Sequence, residues 1–125
     1  MKPESSDRVL SCQPLAVAAA PRLDMIKGSS SAIQKVRDQL LRFASNDASI
    51  FIYGETGTGK ELVARALHGN SSRNGRAFIA VNCGAYPNDL ILNELFGHER
   101  GAFTGAVARQ EGLVSLAESG TMYLD

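Results

Sequence analysis

The octapeptide Gly54-Glu55-Thr56-Gly57-Thr58-Gly59-Lys60-Glu61 stands between an apolar run, Ser49-Ile50-Phe51-Ile52-Tyr53, and a stretch with helical periodicity. No other feature constrains the fold as much. Glycines let a chain curl until consecutive backbone N–H groups face one anion, and a helix that starts directly afterwards adds its positive end. Lys60 is then placed to reach the terminal phosphates of a nucleotide. The flanks agree with this reading. Ile50 to Tyr53 is β-branched and aromatic, suited to a buried strand. Leu62, Val63, Ala66 and Leu67 share one helix face, Glu61 and Arg65 are in the favourable i,i+4 order, and Gly69 is placed to end the helix. The bland alternative is a glycine-rich turn that binds nothing. Glu61 occupies the position where a hydroxyl usually meets Mg²⁺, and a carboxylate there can hold that ion directly or through water.

Composition narrows the function classes. The 125 residues carry 13 basic and 13 acidic side chains, so this segment lacks the electrostatic footprint of a nucleic-acid-binding surface and no direct DNA contact is expected from it. Cys12 and Cys83 have neither CxxC nor metal-ligand spacing and read as free thiols, which suits a reducing cytoplasm. Leu15 to Ala20, between Pro14 and Pro21, is too short to span a membrane, so no membrane partner is expected.

Residues 1–22 mix Ser, Pro and Ala without periodicity and read as a linker or the end of a preceding domain; the fold is expected over 23–125. Ile33, Val36, Leu40 and Leu41 predict an amphipathic helix that ends near Ser45, capped by Ser30 or Ser31. Ala77 to Asn82 reads as a second buried strand, which implies a parallel βαβ unit with the strand before the glycine loop. Asn88 to Phe96 is a short helix that breaks at Gly97, and 98–108 is a glycine-rich loop. Leu113 to Glu118 resumes a helix, and Thr121 to Asp125 is a strand ending in an acid. His68 reads as a helix C-terminal residue that interacts with the dipole, and His98 as part of a loop stem without metal-ligand spacing.

Four separated segments together resemble one family. The octapeptide, Val81-Asn82-Cys83, Glu94-Leu95-Phe96-Gly97-His98-Glu99 and Gly101-Ala102-Phe103-Thr104-Gly105-Ala106 resemble, in order and spacing, the central AAA+ domain of bacterial sigma-54-dependent transcriptional activators, the enhancer-binding proteins. The resemblance covers about residues 23–125 and implies an α/β fold, a P-loop AAA+ type parallel sheet with flanking helices, here only its N-terminal part and truncated after the Walker B strand. It also accounts for Glu61, since that family usually has glutamate after the lysine. Leu92-Asn93 stands where the family usually carries Glu-Ser, and Val114-Ser115 where it carries Phe-Glu.

What the resemblance implies is specific. Gly54, Glu55, Thr56, Gly57, Thr58, Gly59, Lys60 and Glu61 would hold ATP, with Ile26 and Gly28 packing the adenine. Lys60, Asn82 and Asp125 would carry the catalytic roles. Asp125 matches the first acid of the Walker B strand and, with Glu61, would organise Mg²⁺; Asn82 would report nucleotide state. Gly101, Ala102, Phe103, Thr104, Gly105 and Ala106 would form the loop that meets sigma-54 and RNA polymerase. An aromatic on an exposed loop is a contact candidate in its own right, the alternative being a loop anchor folded into the core. The family couples ATP hydrolysis in a homo-oligomeric ring, usually a hexamer, to remodelling of the closed promoter complex. The catalytic glutamate, sensors and arginine fingers would lie beyond Asp125, so no turnover is expected from these residues alone. The family's sensor strand, between the phosphate-loop strand and the Walker B strand, is likewise expected to be missing, leaving a gap in the sheet. Two alternatives stay open on the residues: a nucleotide-responsive sigma-54-binding module that does not hydrolyse, and an unrelated small-metabolite kinase, which leaves Gly101 to Ala106 unexplained.

Overall fold

Ser30 decides where the first helix begins. Its hydroxyl accepts from the Ile33 N–H at 3.3 Å, satisfying one of the donors that a helix start leaves without a partner, and α1 runs Ser31–Ala44. Of the two serines expected as caps, the chain uses the first. In this computed structural model residues 23–125 are described; the linker assigned to 1–22 and the thiol of Cys12 lie outside the described residues.

The second helix, α2 (Lys60–Gly69), begins at the glycine loop and packs against α1. Leu40 and Ala66 are buried there with Ile26, which follows a 3-10 turn at Leu23–Met25, and Ile33, Val63 and Leu67 close around them. A second cluster forms on the sheet. Ile79 and Val81 of β1 (Phe78–Val81) meet Leu113 at the start of α4 (Leu113–Leu116). Ile91 and Leu95 of α3 (Asn88–Phe96) and Met122 of β4 (Thr121–Leu124) pack around this cluster. Between α3 and α4 a short antiparallel hairpin joins β2 (Gly97–His98) to β3 (Gln110–Glu111). At its base Gly97 has φ 71°, and a Cβ there would collide with the Gln110 carbonyl, so the stem closes only around glycine.

The parallel pair is not the one expected. β1 pairs with β4, Phe78 opposite Thr121 and Val81 opposite Leu124, while residues 50–53 join no ladder among the described residues. Phe51 is 88% and Tyr53 92% exposed, so the run expected as a buried strand is neither buried nor a strand. β-Propensity specifies a surface that suits a pleated neighbour and does not supply one. Between Ile50–Ile52 and the β4 residues Met122–Leu124 lies a cleft of about 690 Å³. The gap expected in the sheet is therefore present, with the phosphate-loop segment on one side and β4 on the other.

His68 stands in the last turn of α2, as expected. What the pattern did not show is its burial: its Nδ1 lies 2.8 Å from the Thr121 hydroxyl and its ring is tilted on Phe78, centroids 5.3 Å apart. Burial holds its pKa below the ordinary value, opposed by a backbone hydrogen bond with Arg76. Arg73 fixes the same corner, donating to the Gly120 carbonyl at 2.8 Å and to Asp47 at 3.2 Å.

Three outcomes follow for the folded chain. Val81 is 1% exposed, and Val81→Ala is expected to lower the unfolding free energy by about 2 kcal/mol in urea titration. Val114→Ala, at a position 45% exposed, should change it by less than about 0.5 kcal/mol. Because the folded-state pKa of His68 lies below the unfolded 6.5, the unfolded chain binds the proton more readily. Stability is then complete above that value and declines as pH falls through it; His68→Gln should flatten the slope of the denaturation midpoint between about pH 7.5 and pH 5.5.

Candidate functional site

A parallel pair places both strand ends on one edge, and here that edge carries the polar residues. Asp125 follows β4 and Asn82 follows β1. They are stitched together by backbone bonds from Asp125 N–H to the Val81 carbonyl, 2.9 Å, and from Cys83 N–H to the Asp125 carbonyl, 2.8 Å. The Asn82 side chain accepts from Gly84 N–H at 3.1 Å and caps the 3-10 turn Cys83–Ala85, which holds the amide at the edge. Crevices beyond the carboxyl ends of parallel strands are the usual ligand sites of α/β sheets.

The glycine loop adjoins the same edge through Lys60, which lines a cleft with Asp125. Gly57 and Gly59 have φ 81° and 86°, left-handed values that a residue with a Cβ adopts at a cost, and Gly59 is the N-cap of α2. The loop is tied internally by Thr58, whose N–H and hydroxyl both donate to the Glu55 carbonyl at 3.3 and 2.6 Å. Lys60 Nζ donates to the carbonyls of Gly54 and Glu55 at 3.0 and 3.2 Å, so the ammonium is held across the mouth of the loop. Among the described residues the N–H groups of Gly57, Gly59, Lys60 and Glu61 meet no protein acceptor. They form a ring of donors at a helix N-terminus, the arrangement that receives an anion.

Lys60 and Asp125 line one cleft, together with Tyr123. Tyr123 reports on the acids around it. Its pKa is pushed up, first by burial and then by the charges of Asp125 and Glu61, so both carboxylates act on one phenol. These acids are hard oxygen donors of the kind that Mg²⁺ takes alongside phosphate and water. One Glu61 oxygen is engaged by Arg65, at 2.9 and 2.6 Å, and the Arg65 guanidinium lies 4.8 Å above the Phe78 ring. The expected Glu61/Arg65 pair is thus present and steers the carboxylate. Among the described residues no group of three or more His, Cys, Asp or Glu could hold a metal.

The structure therefore brings Lys60 and Asp125 to one cleft, with Asn82 beside Asp125 on the strand edge and Gly54 and Glu55 bonded to Lys60. Ile26 lies on the core side of this region, buried between α1 and α2, with its carbonyl accepting from Arg37 and with Gly28 (φ 136°) against Ile33. Gly101 to Ala106 is elsewhere, at the tip of the hairpin that follows α3. Its backbone folds on itself through Gly101 N–H to Ala106 C=O at 2.9 Å and Ala106 N–H to Phe103 C=O at 3.0 Å, and Ala106 is buried. Phe103 is neither anchored in the core nor bare: 52% exposed, it meets the His98 ring edge-on at 4.8 Å. The sequence reading missed Tyr123. The period of two in β4 carried the signal, since Thr121 faces His68 of α2 and the residue two along shares that side.

Comparison with known proteins agrees with this geometry. The family described as the Sigma-54 interaction domain matches residues 26–125. The chain is 51% identical over 96 residues to the transcriptional regulatory protein GlrR of Escherichia coli (strain K12), covering 77% of this chain and 22% of that protein. It is 42% identical over 123 residues to the Nif-specific regulatory protein of Klebsiella oxytoca, covering 98% of this chain and 24% of that one. It therefore spans under a quarter of the length of these relatives. Among solved structures, NtrX from Brucella abortus superposes with a TM-score of 0.71 at 37% identity over 80% of this chain and 21% of that one. NtrX in complex with ATP does so with a TM-score of 0.69, again at 37% identity, over 79% of this chain and 22% of that one. With a family match over nearly all of the described residues and about half of the aligned positions identical to a transcriptional regulator, the chain belongs to the Sigma-54 interaction domain family, on an AAA+ fold.

Proposed function

We propose that Gly54 to Glu61 binds ATP, and that the protein of which this domain forms part hydrolyses it to remodel a sigma-54 RNA polymerase closed complex. The observation that carries the reading is the set of N–H groups at Gly57, Gly59, Lys60 and Glu61, beside Lys60 Nζ and adjoining the edge that holds Asn82 and Asp125. The likeness to NtrX in complex with ATP supports the choice of nucleotide.

In this proposal the backbone donors cradle the phosphates, and Lys60 leaves the carbonyls of Gly54 and Glu55 for the phosphate oxygens. A charge-assisted bond to phosphate is about twice as strong as one to a neutral carbonyl, so the exchange is favourable. Ile26 and Gly28 shape the adenine end. Asp125, with Glu61, holds Mg²⁺, which when bound neutralises charge on the phosphates. Asn82 lies one peptide from the Asp125 pairing and senses the nucleotide through that edge. The loop Gly101 to Ala106 presents Phe103 and Thr104 to sigma-54. The assembled form is a homo-oligomeric ring, a hexamer, acting in the bacterial cytoplasm. Among the described residues no helix is long and apolar enough to cross a membrane.

Calorimetric titration of the full-length protein with MgATP tests the site. Lys60→Ala should weaken binding about 10- to 100-fold, the loss of a charged hydrogen-bond set. Gly59→Ala should weaken it about 5- to 30-fold, because φ 86° costs a Cβ-bearing residue. Asp125→Asn should abolish the dependence on Mg²⁺ while nucleotide still binds in chelator. Lys60→Ala protein that binds ATP as tightly as the parent would falsify the assignment. Phe103→Ala is expected to abolish sigma-54 association with ATP affinity unchanged; retained association would remove the loop from the contact.

A further inference from the structure

The Phe103 ring is held from its own stem. Its edge-on contact with His98 has centroids 4.8 Å apart and an interplanar angle of 64°, one of the favourable aromatic geometries. His98 is fixed in turn by Asn93, whose Oδ1 lies 2.6 Å from its Nδ1. An amide oxygen only accepts, so Nδ1 carries the proton and donates. That bond sets the tautomer and the plane of the imidazole. Asn93 sits in the last turn of α3, five residues after the helix start at Asn88 and three before its end at Phe96.

The other bonds of the loop hold only its backbone. Gly101, Ala102 and Ala106 donate to the carbonyls of Ala106, Glu99 and Phe103, and none of them restrains the Phe103 side chain. The Arg109–Glu99 pair across the stem, 3.3 Å, is about three-quarters exposed on both sides and adds little. The placement of the aromatic therefore depends on His98, and the placement of His98 on α3. That helix rests through Ile91 and Leu95 on the cluster built from Ile79 and Val81, the strand whose end carries Asn82. A displacement of the strand edge is felt by α3 through these contacts.

We propose that Asn93 and His98 are positioning residues that clasp Phe103 against the hairpin stem, so that the last turn of α3 sets how much of this aromatic a partner meets. The inference rests on the reading of Gly101 to Ala106 as the sigma-54 contact; the clasp itself is a property of the hairpin. Breaking the Asn93 bond frees the imidazole to turn, and the ring contact that covers part of Phe103 is lost.

Hydroxyl-radical footprinting of the nucleotide-free full-length protein reads the clasp directly, as oxidation of Phe103 followed by mass spectrometry. Starting from 52% exposure, oxidation should rise by up to about twofold in Asn93→Ala and His98→Ala as the ring contact is released. It should stay at the parent level in Asn93→Asp, which keeps an acceptor oxygen. Asn93→Ala favours the helix, so the fold is not at risk in that variant. Unchanged Phe103 oxidation in folded Asn93→Ala overturns the proposal. Association with purified sigma-54 without nucleotide is the second readout. Asn93→Ala should bind about three- to tenfold more tightly than the parent, the population shift expected from an aromatic contact, with ATP affinity unmoved. Release of Phe103 with no gain in sigma-54 affinity, in a protein whose Phe103→Ala variant does not bind, overturns the gating role. If Phe103→Ala binds sigma-54 as the parent does, the loop-contact reading falls, and the footprint alone judges the clasp.

Discussion

The pairing of β1 with β4 organises what the rest of the chain does. Register is unforgiving in a sheet, because a slip of one residue sends every side chain to the opposite face. With Val81 opposite Leu124, Asn82 and Asp125 arrive side by side at the strand ends. Thr121 and Tyr123 then turn toward α2, where His68 meets the Thr121 hydroxyl and the Glu61 charge acts on the Tyr123 phenol, while Met122 joins the cluster beneath α3 and α4. One ladder thus places the polar edge, seats α2 and its glycine loop on one face, and supports α3 and the hairpin on the other.

Those two faces divide the chemistry. On the α2 side, backbone donors and an ammonium await an anion, and two carboxylates stand near one phenol. On the α3 side, an aromatic loop sits on a two-residue stem whose closure requires Gly97. An effect that travels between them needs an element with two arrangements, and the hairpin with its ring contact is the least buried part of the route. Bonds that are few, local and exposed open at low cost, which suits a segment that must move.

Local rules carried much of this into the sequence. The α1 boundary followed from a serine before an apolar period, and α3 from Asn88 to Phe96 followed from Pro87 and Gly97 at its ends. The glycine loop was legible because its function fixes both composition and spacing, and the Glu61/Arg65 pair because helical neighbours are four apart. What failed were statements about distant partners. Ile50 to Tyr53 has the composition of a strand, yet no strand among the described residues pairs with it. His68 was legible as a helix end, but nothing nearby reveals that Phe78 and Thr121 will cover it. The stem 97–98 with 110–111 was read as loop, since two residues are too few to show alternation. The placement of Phe103 on His98 is of the same kind, a contact made by the turn geometry of the loop and not by a pattern.

The central claim is that the N–H groups of the glycine loop and the adjoining strand edge form one nucleotide site. Amide hydrogen exchange of the full-length protein, with and without saturating MgATP, measures it most directly. The account predicts slowed exchange in residues 54–62 and at the 82–84 turn, where donors gain acceptors and the edge is fixed. Unchanged exchange in 54–62 at saturating nucleotide, with protection appearing elsewhere in the domain, would contradict it.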